Sequence, residues 1–216
     1  DGYTLNSGDG VVYTFYPPAI LERVWPDTGP TTGYTDIAIQ GTGYAGGIGP
    51  FYCRFGHVEV LPATVELRSQ SIRCVTPPRS AGVTLVEVTL NGQQYHGEVS
   101  TSNFDYYHPP QVLSISPSSG TVLGNTTVTI SGSGFRYAFN NLCKWGNLTT
   151  NISELSSTRI VCPTPVINTG LSPVEITLNG QQYTSDGRTF YHYLHPHIHR
   201  LSVPGEIGSP GTWIDE

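Results

Sequence analysis

The chain repeats itself, and the repeat restricts its fold more than any other feature. Asn91-Gly92-Gln93-Gln94-Tyr95 returns verbatim as Asn179-Gly180-Gln181-Gln182-Tyr183, a shift of 88 positions. Just upstream, Val86-Glu87-Val88-Thr89-Leu90 matches Val174-Glu175-Ile176-Thr177-Leu178. Cys53-Arg54-Phe55-Gly56 matches Cys143-Lys144-Trp145-Gly146, and Ile72-Arg73-Cys74-Val75-Thr76-Pro77 matches Ile160-Val161-Cys162-Pro163-Thr164-Pro165. Gly41-Thr42-Gly43-Tyr44 matches Gly132-Ser133-Gly134-Phe135. So many matches in one order define two homologous units, and a repeat of this kind decides the architecture before any local pattern is weighed.

The flanks carry fragments of the same pattern. Asp9 to Pro18 resembles both Ser102 to Pro110 and Asp186 to Tyr193, the segments that close the two units. Residues 1–16 therefore read as the last strand of a preceding unit, 17–108 and 109–194 as complete units, and 195–216 as the opening of a following one. The chain starts at Asp1 and contains no methionine. That favours a removed leader or a longer parent chain, and the repeat favours the longer chain.

Within a unit the periodicity is two. Val83, Leu85, Glu87 and Thr89 alternate with Thr84, Val86, Val88 and Leu90, and Asn91-Gly92 follows as the dipeptide of a tight hairpin turn. Thr127 to Ile130 and Asp36 to Ile39 alternate in the same way, turn clusters such as Pro117-Ser118-Ser119-Gly120 punctuate them, and nothing reads as a helix of useful length. The expected fold class is all-β, two antiparallel sandwiches in series.

The order Pro-x-x-Gly, Thr-x-Val-Thr-Ile-x-Gly-x-Gly-Phe, Cys-x-Trp-Gly, Ile-Val-Cys-x-Thr-Pro and Val-x-Ile-Thr-Leu-Asn-Gly-Gln-x-Tyr resembles the IPT/TIG family of immunoglobulin-like domains. The resemblance covers nearly the whole chain and holds in both full copies. It implies an immunoglobulin-like sandwich. Such domains occur in receptor ectodomains, in tandem surface arrays, beside starch-acting enzymes and in some transcription factors, so the fold leaves the function open.

Four cysteines allow three pairings. Each unit carries one pair at an equivalent place, which selects Cys53 with Cys74 and Cys143 with Cys162; short Cys-x-x-Cys spacing for a metal is missing. Cystines imply an oxidising, extracellular compartment. Three sequons point the same way: Asn125-Thr126-Thr127, Asn147-Leu148-Thr149 and Asn151-Ile152-Ser153, against the competing reading of unmodified turn chemistry. In an extended stretch Asn147 and Asn151 would share a side, about 13 Å apart. The first unit has Tyr34, His57 and Leu61 at the corresponding places. This asymmetry raises two readings, a glycan-coated second unit beside a first unit that contacts neighbours through Tyr34, Tyr44 and Tyr52, or simple scatter of sequons.

Other classes fare worse. Only 10 Lys+Arg and a net charge of −6 argue against nucleic acid, and no apolar run approaches the roughly 18–20 residues of a membrane span. Gly41-Thr42-Gly43-Tyr44-Ala45-Gly46 has the spacing of a dinucleotide loop, but Gly47, Gly49 and Pro50 deny it the helix that such a loop opens, so no cofactor is expected. His192, His195, His197 and His199 lie within eight residues. His195, His197 and His199 would share a face of an extended segment and could take Zn²⁺ or Cu²⁺. The competing reading is a linker whose rings pack at the joint; no carboxylate stands ready to orient those rings, and no metal is assigned. No nucleophile elbow, His-Glu-x-x-His or paired carboxylate is present. Asp27, Asp36 and Asp186 sit in turn contexts, where aspartate commonly bonds backbone.

The expectation is a non-enzymatic extracellular glycoprotein, part of a fibre or surface stalk of serial sandwiches, whose partners are adjacent repeats or copies of itself and N-linked glycans. In one version Tyr3, Leu5, Val11, Tyr13 and Phe15 belong to a strand exchanged between units. The competing class is a receptor or adhesin ectodomain, or a carbohydrate-binding module of a secreted protein.

Overall fold

A computed structural model describes residues 3–6, 8, 12–47, 49–57, 59–98 and 100–196. Alternating apolar residues form strands throughout, and the strands assemble into two sandwiches of the same plan. In the first, Ile20–Trp25, Asp36–Thr42, Ser71–Val75 and Thr64–Glu66 make one sheet. Thr28–Pro30, Asn103–Tyr107, Gly82–Thr89, Tyr52–Phe55 and Glu59–Pro62 make the other, with Tyr95–His96 paired beside Gly82–Thr89. The second sandwich repeats this with Gln111–Ser116, Thr127–Ser133, Arg159–Pro163 and Glu154–Leu155 against Ser119–Thr121, Thr189–Tyr193, Gly170–Thr177, Leu142–Trp145 and Leu148–Asn151.

In both units the opening segment serves both sheets. Ile20–Trp25 runs antiparallel to Asp36–Thr42, then Thr28–Pro30 crosses over and pairs parallel with Asn103–Tyr107. Gln111–Ser116 and Ser119–Thr121 do the same in the second unit. A bulge falls at the same place in each opening strand, between Leu21 and Arg23 and between Val112 and Ser114. The extra residue breaks strict alternation there, which is why the period-two signal is weakest in these strands.

Elsewhere the alternation decides burial. Val86, Val88 and Leu90 are fully buried with Ile37, Ile39, Phe55, Ile72 and Phe104, whereas Val83 on the opposite face is exposed. In the second core Trp145 and Phe190 meet edge to face at 5.4 Å, amid Val128, Ile130, Ile160 and Ile176. Each core is spanned by a cystine joining its two sheets: Cys53 to Cys74 and Cys143 to Cys162, with Cα atoms 6.4 Å apart in both.

The glycine-rich run has a packing role. A Cβ on Gly41 would lie 2.1 Å from the Ile20 carbonyl oxygen, and one on Gly132 would lie 2.0 Å from that of Gln111. The aromatic ring three residues on lies over each glycine, and the Tyr44 hydroxyl donates to the Ile39 carbonyl at 3.3 Å. Tyr44–Gly46 forms a single three-residue 3₁₀ turn in place of the helix a dinucleotide loop would need. Tyr44 is therefore core, which corrects its expected place on a contact surface: closing over Gly41 buries its ring.

The opening residues also differ from a lone strand. Tyr3–Asn6 pairs antiparallel with Val12–Phe15, Tyr3 opposite Phe15 and Leu5 opposite Tyr13, as a two-stranded sheet separate from both sandwiches. Val11 lies outside the described residues. A signal for this hairpin was present in the sequence: Thr4-Leu5-Asn6 repeats Thr89-Leu90-Asn91 and Thr177-Leu178-Asn179, the ends of the strands that precede each closing strand.

Candidate functional site

The site is built from the loop that the repeat preserves verbatim. Asn91-Gly92 does not form the two-residue hairpin turn that the dipeptide implies. Such a turn needs positive φ at both central residues, and here only Gly92 (φ 76°) and its counterpart Gly180 (φ 77°) have it. The chain instead makes a wider loop braced by side chains. Thr89 Oγ1 accepts from the Gly92 amide at 2.9 Å, and Asn91 Oδ1 accepts from the Gln93 and Gln94 amides at 3.0 and 3.1 Å. In the second copy Thr177 and Asn179 do the same at 2.9, 3.1 and 3.2 Å. The following tyrosine packs beneath a cation of the neighbouring strand: Arg54 lies 3.9 Å from the Tyr95 ring and Lys144 lies 4.7 Å from Tyr183. Braced in this way, the loop presents two glutamine amides outward.

In the second copy those amides grip the first unit. Gln181 Oε1 accepts from the Asp36 amide at 2.8 Å while its Nε2 donates to the Asp36 carbonyl at 2.9 Å. Gln182 Nε2 donates to the Tyr34 carbonyl at 2.8 Å, and its Oε1 accepts from the Thr35 hydroxyl at 3.1 Å. The pairing of the opening strand with Asp36–Thr42 runs only as far as Trp25 opposite Ala38. Asp36 lies beyond it, and the Gln181 side chain supplies the next rung with a donor and an acceptor in ladder geometry.

Beside this clasp the joint has an ionic and aromatic flank. Arg136 donates to Asp105 Oδ2 at 2.5 Å, its guanidinium 5.7 Å from the Tyr107 ring, and Trp25 meets Phe139 edge to face with Arg23 over the indole at 4.2 Å. Tyr107 ends the last strand of the first unit yet is buried within the core cluster of the second. Burial pushes its phenol well above the ordinary range, with Arg136 opposing. Two clefts open at the joint, one of about 440 Å³ walled by Arg23, Trp25, Asp105, Arg136 and Phe139, and one of about 170 Å³ beneath the clasp at Pro30, Pro110 and Tyr183.

The structure separates the other sequence candidates. Asn125, Asn147 and Asn151 are all exposed. Asn147 occupies the Gly146-Asn147 turn between Leu142–Trp145 and Leu148–Asn151, so the strand-parity argument for Asn147 and Asn151 does not apply. Tyr34 and Asn125 hold the same left-handed backbone, at φ 60° and 62°. Asp186 accepts from the Val112 amide at 2.8 Å, a backbone role. The histidine group divides: His195 is exposed, its Nδ1 3.1 Å from the Pro196 carbonyl oxygen, whereas His197 and His199 lie outside the described residues. Among the described residues no three potential ligands converge.

His192 is a core residue, 1% exposed, with Nε2 2.8 Å from Ser172 Oγ and Nδ1 without a hydrogen-bond partner. Desolvation lowers its pKa below the ordinary 6.5. The folded unit therefore resists a proton that the unfolded chain accepts. Stability is complete above pH 6.5 and falls as pH drops through the folded pKa. Urea midpoints for the second unit are expected to decline over that range, and His192→Tyr, which installs the residue the first unit carries as Tyr106, is expected to flatten this component of the decline.

Two four-on-five-or-more-stranded sandwiches, each pinned across its sheets by a cystine and joined end to end, define a tandem immunoglobulin-like protein. The chain belongs to the IPT/TIG domain family, whose model matches residues 19–106 and 110–193. It is 28% identical over 183 residues to human fibrocystin-L, covering 82% of this chain and 4% of that protein. It is 26% identical over 195 residues to human plexin-A2, covering 86% of this chain and 10% of that one. The chain thus spans only a small part of these relatives. The plexin A4 full extracellular region, domains 1 to 10, shares the fold with a TM-score of 0.58 at 18% identity, covering 85% of this chain and 16% of that one. The cystines and these relatives place the chain in an extracellular or cell-surface setting.

Proposed function

We propose that this chain is a non-catalytic spacer, a stiff run of serial sandwiches within an extracellular, receptor-type ectodomain, where it holds other modules at a set distance and angle. The observation that carries this reading is the clasp, in which Gln181 and Gln182 each make two hydrogen bonds to Tyr34–Asp36. Each is worth about 0.5–1.5 kcal/mol net, and the buried Tyr107 and the Arg136–Asp105 pair restrain the same joint from other sides. A flexible linker would need none of these. The partners on this reading are adjacent repeats of the same kind.

N-glycans on Asn125, Asn147 and Asn151 complete the proposal. Leu148–Asn151 is the free edge of its sheet, and glycans at both of its ends would shield unpaired backbone from other chains. The equivalent edge of the first unit, Glu59–Pro62, carries a proline instead.

Small-angle X-ray scattering is the test. The wild-type chain is expected to fit one extended arrangement, and Gln181→Ala with Gln182→Ala is expected to broaden the distance distribution without changing either sandwich. Identical curves for the two proteins would remove the spacer reading. A second reading, recognition of a ligand, is favoured by Tyr137 and Phe139, 80% and 57% exposed at the mouth of the larger cleft. Loss of a binding partner on Tyr137→Ala, with the joint unchanged, would support it.

A further inference from the structure

The loop that flanks the joint has a second face. Residues 136–141 are braced from within: Asn141 Nδ2 donates to the Arg136 carbonyl at 2.9 Å, and Asn141 Oδ1 accepts from the Ala138 amide at 3.2 Å. One side of the loop meets the first unit through Arg136–Asp105 and Phe139–Trp25. The other side walls a separate cleft of about 330 Å³ together with Asn151, Ile152 and Leu155. That volume lies at the low end of the roughly 300–1,000 Å³ usual for small-molecule sites. Tyr137 is 80% exposed, yet it is held in place: its hydroxyl lies 3.5 Å from the Leu155 carbonyl oxygen on the facing wall. Phe139, 57% exposed, stands on the same wall as Tyr137. Two large rings presented to water by one short, braced loop mark a surface built to be covered.

Of the three sequon asparagines, Asn151 lines this cleft. It ends Leu148–Asn151 opposite Leu142, the residue after Asn141. Its sequon has a fixed base. Ile152 packs against the second core, and the Ser153 amide and hydroxyl both donate to the Val161 carbonyl, at 2.8 and 2.9 Å. We propose that the cleft is the seat of the glycan carried by Asn151, whose first N-acetylglucosamine packs against Tyr137 and Phe139. The chemistry matches, because a pyranose ring is apolar on its C–H faces and polar at its rim. Its C–H groups meet the electron-rich face of an aromatic ring, and its hydroxyls stay in water. Between free molecules such stacking is weak. Attachment at Asn151 supplies the millimolar effective concentration of a short tether, and the anchored sequon reduces what is lost on ordering. The occupant is thus set by covalent attachment at the cleft's own wall. Seated there, the sugar would back the loop from the side away from Asp105 and Trp25. The inference rests on the proposed glycosylation of Asn151 and adds where that glycan lies.

The experiment uses the chain secreted from a host that attaches N-glycans and is fed ¹³C-labelled sugar, with occupancy of each sequon read first by peptide mass. Nuclear Overhauser contacts are expected between the N-acetylglucosamine on Asn151 and the Tyr137 ring, and its ring protons are expected upfield of those of the sugar on Asn147. Tyr137→Ala is expected to abolish both signals. In a double-mutant cycle, Asn151→Gln is expected to lower the urea midpoint of the second unit in the wild-type background and to leave it unchanged in the Tyr137→Ala background. An occupied Asn151 with no contact to Tyr137 or Phe139, and equal midpoint losses in both backgrounds, would overturn the seat while the glycosylation reading stands. An unmodified Asn151 would overturn both at this position.

Discussion

Replacing Trp145 with alanine is expected to destabilise the second unit by about 3–5 kcal/mol, the usual cost of removing a large, fully buried aromatic. The indole is 0% exposed, meets Phe190 edge to face, and donates from Nε1 to the Thr150 hydroxyl at 2.9 Å. Alanine would leave a void between the sheets and strip that hydroxyl of its partner. At about 4–8 °C per kcal/mol for a domain of this size, the loss is a large share of a domain's ordinary stability. Calorimetry is expected to show two transitions where the wild type is closer to one, because the first unit keeps its own core. Trp145→Phe provides the control. The first unit carries Phe55 at this position, also 0% exposed, so phenylalanine is expected to cost a small fraction of the alanine effect.

Removing the second cystine is the other large perturbation. Cys143 and Cys162 are both 0% exposed, lie on opposite sheets and close a loop with a sequence separation of 19. The chain-entropy model assigns a loop of this length about 3 kcal/mol. Cys143→Ala with Cys162→Ala is expected to cost that much plus the lost sulfur packing, read as a lowered guanidinium midpoint for the second unit with the first unit's midpoint unchanged. Removing Cys53 and Cys74 instead is expected to lower the midpoint of the first unit. Equal loss in both units from one pair would mean that the sandwiches do not hold separate cores.

Much of the fold is written in period two and in punctuation. Val86, Val88 and Leu90 announce their buried face, and the Gly41 and Gly132 runs announce a break, though only the packing of Tyr44 and Phe135 over them shows why the glycines are there. The opening strands are harder to read because the bulges at Leu21/Arg23 and Val112/Ser114 shift the alternation partway along. His192 reads as one of a row of histidines in the sequence. Strand alternation places it inside, between exposed Tyr191 and Tyr193, and so away from any ligand set.

The joint was the least legible part. Asn91-Gly92 and Asn179-Gly180 carry a strong local turn signal that accounts for the asparagine and the glycine but not for the two glutamines after them. Their verbatim return was the available clue: a turn constrains its own backbone, whereas Gln181 and Gln182 are spent on a surface about 145 residues away in sequence. Which surface they meet depends on how two sandwiches stack, and no local pattern carries that. The Arg136–Asp105 and Trp25–Phe139 contacts were invisible for the same reason, each pairing a side chain from one unit with a side chain from the other.

Residual dipolar couplings measured on both units in one weakly aligned sample test the rigid joint most directly. The account predicts that a single alignment tensor describes residues 19–106 and 110–193 together, and that Gln181→Ala with Gln182→Ala splits it into two tensors of different magnitude. Two unequal tensors already present in the wild-type chain would contradict it.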